Sequence, residues 1–279
     1  MNGVLLINKE IGKTSRDMVN ELNHIFGIKK IGHTGTLDPL ATGVLVMCIG
    51  KYTKLVDHLS SLEKEYNAEV KLGIKTDTLD ITGNVLEQKD TTIDKESLEK
   101  TLKTMIGIYK QTIPAYSAKK VNGKKLYEYA RNGEEVPTIT NEVEILDIKL
   151  LEYNNDSFRF WCKVSKGTYI RSIIETICNK LNVIGTMSSL ERCKQGVFSI
   201  NDSYTIKDIK KGNYKLLHLK DLFTYPEVDL TEEDYKKVLN GNKMNFNSQS
   251  RYIILNYNHE EVALYQKKDN EYRLILFVK

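Results

Sequence analysis

Apolar and polar positions along the chain form short buried runs and amphipathic segments in mixed order. VLLIN (Val4 to Asn8) is an apolar run short enough for a buried strand. After GKTS, Met18, Val19, Leu22, Ile25 and Phe26 recur at helical spacing, with Ser15 as the expected N-cap and Gly27 as the expected C-cap. GVLVMCIG (Gly43 to Gly50) is apolar throughout and bounded by glycine, which predicts a fully buried strand, and KYTKLVDHLS predicts a helix. KEYNAEVKLG alternates, with Tyr66, Ala68, Val70 and Leu72 on one face of a half-buried strand. TDTLDITGNVLEQ predicts a turn and a strand, and IDKESLEKTLKTMIG an amphipathic helix capped by Asp94. VEILDIKLLEY and SFRFWCKVSKG predict two long strands of one hairpin, TYIRSIIETICNKLN an apolar helix, and TMSSLERCKQGVF a strand with a turn.

This order predicts an α+β fold with a mixed, largely antiparallel central sheet flanked by helices, not a doubly wound parallel sheet. YPEVDL marks a boundary between Leu222 and Asp229. Residues 1–222 form the larger domain, with an insertion at about 111–135. Residues 225–279 predict a short helix (Glu232 to Leu239) and three strands (Tyr252 to Asn256, Val262 to Gln266, Tyr272 to Val278). A β-rich module of about fifty residues buries little core unaided, so it should pack on the larger domain.

The net charge of +4, from 41 Lys and Arg against 37 Asp and Glu, argues only weakly for nucleic acid. The distribution argues more strongly. Between Met105 and Arg131 stand Lys110, Lys119, Lys120, Lys124, Lys125 and Arg131 with one acid, Glu128, and tyrosines 109, 116, 127 and 129 interleave them. Cations for phosphates and flat rings for bases make an RNA-binding composition; a solvated lysine loop is the plainer alternative.

No apolar run approaches the ~20 residues of a membrane span, and MNGVLLINKE lacks the basic region and cleavage site of a signal peptide. Cys48, Cys162, Cys178 and Cys193 form no CxxC and read as buried thiols in a reducing cytoplasm. The histidines show no metal-ligand spacing, and no glycine-rich nucleotide motif follows a strand, so neither metal nor cofactor is expected.

GHTGTLDPLATG (Gly32 to Gly43) places one carboxylate, Asp38, before a proline in a glycine-rich loop. Asp38 reads as a turn former, a metal ligand without neighbouring ligands, or a lone catalytic carboxylate. In the last case the glycines would let a substrate backbone approach and Pro39 would fix the chain.

GHTGTLDPLATGVL resembles the catalytic motif of the TruB family of tRNA pseudouridine synthases. INKEIGKTS, EKEYNAEVKLGIKTDTLDITG, IPAYSAKKVNGKKLYEYARNG, VSKGTYIRSII and MSSLERCKQGVF resemble its other motifs, in the family's order, over about 200 residues. Glu10 stands where the family commonly has proline.

The resemblance implies the pseudouridine synthase fold, a C-terminal PUA-like module, and isomerisation of uridine 55 in the T-loop of tRNA without cofactor or metal. It implies Asp38 as the catalytic carboxylate, Tyr66 as the ring stacking on the flipped uracil, with its hydroxyl placed for the C5 proton, and Arg171 as the partner keeping Asp38 ionised. Tyr169 and Leu190 would wall the base pocket, His33 fill the gap left by the flipped base, and Lys9 contact phosphate. Lys119, Lys120, Lys124 and Lys125 would hold the T-arm. A cytoplasmic monomer needing no protein partner or membrane is expected. A tRNA-binding or folding protein without catalysis, or a synthase for another RNA, are the alternatives, and whether Asp38 adds to the base, attacks C1′ or removes the C2′ proton stays open.

Overall fold

The structure, a computed structural model, describes residues 1–278. β1 (Gly3–Lys9) pairs antiparallel with β3 (Thr42–Ile49), Gly3 facing Ile49 and Lys9 facing Gly43. Both strands are covered on both faces, which is why they read as unbroken apolar runs. Leu5, Ile7, Leu45 and Met47 pack under α1 (Ser15–Phe26), whereas Val4, Leu6, Val44 and Val46 belong to a second apolar cluster.

The N-cap of α1 is Thr14, not the expected Ser15. Thr14 accepts from the Asp17 amide at 3.0 Å and the Asp17 carboxylate accepts from the Thr14 amide at 2.8 Å, a reciprocal capping box. Ser15 is thereby turned inward. Its Oγ accepts from the Leu37 amide at 2.9 Å and donates to the Leu37 carbonyl at 3.2 Å, pinning the loop next to Asp38.

β2 (Ile31–His33) borders β3. The helix expected over KYTKLVDHLS is split into a 3₁₀ segment, Gly50–Leu55, and the short α2 (Val56–Ser60). Tyr52 and Leu55, three apart, both enter the core, a spacing that suits the tighter helix. β4 (Lys64–Leu72) follows, then the hairpin of β5 (Ile74–Thr76) and β6 (Val85–Gln88), α3 (Lys95–Thr104) capped by Asp94, and β7 (Gly107–Thr112).

The insertion is a miniature hairpin, β8 (Lys120–Val121) and β9 (Lys124–Lys125), followed by α4 (Leu126–Arg131). Asn122 and Gly123 join its strands with φ of 51° and 81°, as a tight hairpin turn needs.

β10 (Thr140–Tyr153) and β11 (Ser157–Val164) form the long hairpin, followed by α5 (Ile170–Lys180), β12 (Gly185–Gln195) and β13 (Phe198–Ser199). The central sheet runs β1-β3-β12-β4-β11-β10-β7, with only β3 and β12 parallel along that path. This is the mixed, largely antiparallel sheet the sequence predicts.

After α6 (Ile206–Lys210) and α7 (Leu219–Leu222) comes a second sheet of β14 (Glu227–Asp229), β15 (Tyr252–Tyr257), β16 (Glu260–Lys268) and β17 (Glu271–Phe277), with α8 (Glu232–Leu239) between β14 and β15. β14, three residues long, shows no alternation to read. Ile254, Leu264 and Leu276 of this sheet join Val4, Leu6, Val44, Val46 and Tyr52 in one buried cluster. The module is thus fused to the back of the central sheet. An aromatic stack of Phe223, Tyr225 and Tyr252 closes the seam, with centroids 4.7 and 5.0 Å apart and His58 edge-on to its two ends.

Candidate active site

The β2–β3 loop carries Asp38 and is tied at several points. Besides the Ser15–Leu37 pair, the Ala41 amide donates to the Asp38 carbonyl at 3.0 Å and the Gly12 amide to the Pro39 carbonyl at 2.8 Å. Its glycines answer to the protein's own packing. Gly43 has φ +102°, and a Cβ there would run into the Arg192 backbone of the neighbouring parallel strand. A Cβ on Gly35 would sit 3.3 Å from the Arg192 guanidinium.

Asp38 opens into a cleft of about 580 Å³ that also collects Tyr66, Tyr169, Arg171 and Leu190. These come from the β2–β3 loop, β4, the start of α5, and β12. Arg171 Nη2 lies 3.0 Å from Asp38 Oδ2. The guanidinium is buried and also donates to the Thr78 carbonyl at 2.9 Å and the Tyr116 carbonyl at 3.0 Å, with Asp80 Oδ2 3.9 Å away. A buried cation held this way has one orientation, and it points at Asp38.

Burial pushes the Asp38 carboxyl above its ordinary value; Arg171 pulls it down, Asp80 pushes it up, and Lys9 also lowers it. Arg171 therefore acts in the expected direction, but desolvation outweighs it. The Asp38 side chain keeps 32% of its surface exposed, so the acid is reachable from the cleft.

Tyr66 is 6% exposed, and burial raises its phenol above the usual range, opposed chiefly by Arg192. Tyr169 stands at the N-cap of α5 without a side-chain cap. Its backbone is clamped by buried Gln111, whose Nε2 donates to the Tyr169 carbonyl at 3.0 Å while Oε1 accepts from the Tyr169 amide at 2.8 Å. The amide thus does for Tyr169 what a neighbouring strand would do.

His33 is half-buried beside this loop and is not among the residues lining the cleft. Burial, helped by Arg192 and Arg16, lowers its pKa, which favours the neutral ring. Lys9 is a correction. It is wholly buried, and its ammonium donates to the carbonyls of Glu10 (2.9 Å), Lys13 (2.6 Å) and Pro39 (3.3 Å). Burial brings it down to about 8. It braces the loop beside Asp38 and has no route to a phosphate.

The four lysines of the insertion divide. Lys119 and Lys120 are exposed. Lys124 pairs with Glu134 and lies 4.5 Å from the Tyr129 ring centroid; Lys125 donates to the Tyr127 hydroxyl at 3.1 Å. The insertion also has an apolar anchor absent from the sequence reading, since Leu126 and Ile113 are buried.

Among the described residues no cluster of three His, Cys, Asp or Glu side chains could hold a metal. Asp80, Gln111 and Arg192 were not singled out from the sequence, and Ser15 only as a helix cap. Asp80 and Arg192 lie within motifs quoted above, but only the fold brings Asp80 to Arg171 and Arg192 to the cleft.

A mixed sheet with a β module behind it, and a cleft holding one carboxylate bonded to a buried arginine between two tyrosines, define a pseudouridine synthase fold. Two solved structures share it over 99% of this chain: one titled a Cbf5-Nop10-Gar1 complex (TM-score 0.71, 22% identity, 84% of that chain) and one an H/ACA RNP bound to a substrate RNA containing 2′-deoxyuridine (TM-score 0.70, 21% identity, 84% of that chain). Residues 23–170, more than half of the chain, match the TruB family pseudouridylate synthase N-terminal domain. The chain is 41% identical to the tRNA pseudouridine synthase B of Caldanaerobacter subterraneus subsp. tengcongensis, covering 93% of this chain and 92% of that one. It is 38% identical to that of Fusobacterium nucleatum subsp. nucleatum over 97% of both. The chain belongs to the TruB family of pseudouridylate synthases. Among the described residues no helix is long and apolar enough to cross a membrane.

Proposed function

We propose that this protein isomerises uridine 55 in the T-loop of tRNA to pseudouridine, as a cytoplasmic monomer that needs neither cofactor nor protein partner. The observation that carries the reading is the Asp38–Arg171 pair at 3.0 Å inside a cleft walled by Tyr66, Tyr169 and Leu190. The names of the relatives supply the reaction and the class of RNA.

The reaction breaks the C1′–N1 bond, turns the uracil, forms C1′–C5, and exchanges the proton on C5 for one on N1. Bonds and protons balance with no net oxidation. Asp38 supplies an ionised oxygen in each of the three courses open to it: addition to the base, attack at C1′, or removal of the C2′ proton. Arg171 orients that oxygen and balances its charge while water is excluded. Tyr66 stacks on the uracil, with its hydroxyl toward the C5 proton, and Tyr169 and Leu190 hold the ring in plane. The uridine reaches the cleft by flipping, which costs a few kcal/mol, and His33, a neutral ring, occupies the space it leaves.

Residues 1–222 serve as the catalytic domain, with the insertion gripping the T-arm through Lys119 and Lys120 first and Lys124 and Lys125 second. Residues 225–279 serve as a PUA-like module that touches the RNA backbone. Mapping pseudouridine in a treated tRNA transcript by carbodiimide adducts and primer extension tests the reading. A single new stop reporting position 55 is expected; a stop elsewhere in tRNA, or none, contradicts it.

A further inference from the structure

β7 turns Ile108 to solvent at 66% exposure and buries Gln111 at 2%. An amide in the interior is costly unless it is bonded, and an apolar side chain of like size would pack there without that cost. The Gln111 amide is bonded at both ends. Its Nε2 donates to the Tyr109 hydroxyl at 2.9 Å and to the Tyr169 carbonyl at 3.0 Å, and its Oε1 accepts from the Tyr169 amide at 2.8 Å. Exchanging the two ends would set nitrogen against the Tyr169 amide and oxygen against its carbonyl, so the network allows one orientation.

Tyr169 sits at a junction. It follows an exposed turn through Lys166 and Gly167, whose φ is +78°, and stands at the N-cap of α5, where its side chain makes no capping bond. An N-cap residue lies outside the helix, here with φ −104° and ψ 113°, and its carbonyl accepts the first helical bond, from the Ile173 amide at 3.2 Å. Gln111 reaches both backbone groups of this residue across 58 positions of the chain. The residues that follow have anchors of their own. Arg171 donates to the Thr78 and Tyr116 carbonyls, and Ser172 Oγ donates to the Thr112 carbonyl at 2.8 Å. Loss of Gln111 therefore frees Tyr169 and leaves the start of α5 in place.

We propose that Gln111 is a positioning residue that fixes the backbone of Tyr169, so that its ring stands as a rigid wall of the cleft against the uracil. This rests on the function proposed above. Gln111 is not among the residues lining the cleft, and it acts through Tyr169, which is. The effect belongs to the rate, not to affinity. The T-arm is gripped elsewhere, whereas a base held loosely spends less time in the reacting arrangement.

The test combines a mutant cycle with a reading that needs no turnover. The single-turnover rate of tritium release at saturating enzyme, well below the melting temperature, is measured for wild type, Gln111→Met, Tyr169→Ala and the double variant. The ring resonance of Tyr169, in protein carrying ¹³C-labelled tyrosine and assigned by its disappearance in Tyr169→Phe, is recorded for wild type and Gln111→Met. We expect Gln111→Met to lose about tenfold or more in rate, since a misplacement of about 1 Å costs up to about a hundredfold, with tRNA affinity held within about threefold. The Tyr169 signal should shift or broaden. The double variant should be no slower than Tyr169→Ala alone, because Gln111 has no second route to the reaction.

An unchanged rate overturns the proposal. So do losses that multiply in the double variant, which would send the effect of Gln111 elsewhere, and a rate loss with the Tyr169 signal unmoved. If Gln111→Met does not fold, Gln111→Asn, one methylene shorter with the same amide, decides by the same readings, since it must still slow the reaction and move the signal. Wild type that releases no tritium refutes the reading of function instead, and the ring signal, read without turnover, still decides whether Gln111 holds Tyr169.

Discussion

The cleft and the insertion both carry cations, and they are built in opposite ways. Around the cleft, Lys9, Arg171 and Arg192 are buried, and their donors are spent on backbone carbonyls of the residues they must hold still, with Arg171 also on Asp38. In the insertion, Lys119 and Lys120 stand in solvent, and Lys124 and Lys125 rest on glutamate and tyrosine rings. Buried charge is paid for by desolvation and returns geometry. Exposed charge costs little and returns salt-dependent attraction.

If that contrast holds, damage in the cleft should be local and severe. Arg171→Met leaves two carboxylates, Asp38 and Asp80, facing a buried apolar chain. Breaking such a pair costs about 3–5 kcal/mol, and at ~2–4 °C per kcal/mol for a chain of this size class the melting temperature should fall by about 10 °C. Tritium release should vanish with it. A melting curve within a degree or two of wild type would mean that the pair contributes nothing to the fold.

Tyr66→Phe comes next. The ring still stacks, so tRNA affinity should stay within a few-fold, while the rate at saturating enzyme falls by about a hundredfold, as expected for a lost proton-transfer group. Retained full activity removes the hydroxyl from the chemistry.

The insertion should respond gradually instead. Alanine at Lys119 and Lys120 together should lower the slope of log affinity against log salt by about 1.5. Alanine at Lys124 and Lys125 should lower it by about half as much or less, because those ammoniums already have partners. Equal slopes for wild type and both doubles would reduce the basic stretch to a solvated loop.

The smallest effect concerns Asp38 itself. A carboxyl whose folded pKa lies above its unfolded value of 3.8 binds more protons folded than unfolded between those two values. Stability is therefore lost as pH rises through that window, and at neutral pH the ionised acid is a net burden on the fold. Asp38→Asn should melt no lower than wild type at pH 7, and a clear decrease would show that Arg171 more than repays the burial. In the wild type, activity that needs the ionised acid should fall on acidification with a midpoint above 3.8.

The fold was legible where periodicity was long. β4, β10, β11 and α5 each carry enough alternating or helical positions to declare themselves. It was illegible where a local contest decided by one residue, as between Thr14 and Ser15 for the cap, or where a strand was three residues long, as in β14. The site divides similarly. Asp38 stood out as a lone acid in a turn, but its pairing with Arg171 spans the chain, and only the motif resemblance implied it. Lys9 was misread because a lysine beside a loop suggests solvent, whereas three carbonyls inside the protein claim it. Gln111 and Arg192 work through backbone groups far away in the chain, and a linear sequence carries no mark of which segment will lie opposite.

The central claim, that the carboxylate of Asp38 isomerises a uridine of the tRNA T-loop, is tested most directly by one measurement. tRNA carrying tritium at C5 of uridine is mixed with excess wild type or Asp38→Asn in a single turnover, with binding of both proteins measured alongside. Wild type should release the tritium of one uridine per tRNA. Asp38→Asn, isosteric and still able to accept from Arg171, should bind within a few-fold and release none above background. Release by Asp38→Asn within about tenfold of the wild-type rate, a difference of no more than about 1.4 kcal/mol in barrier, would contradict the account.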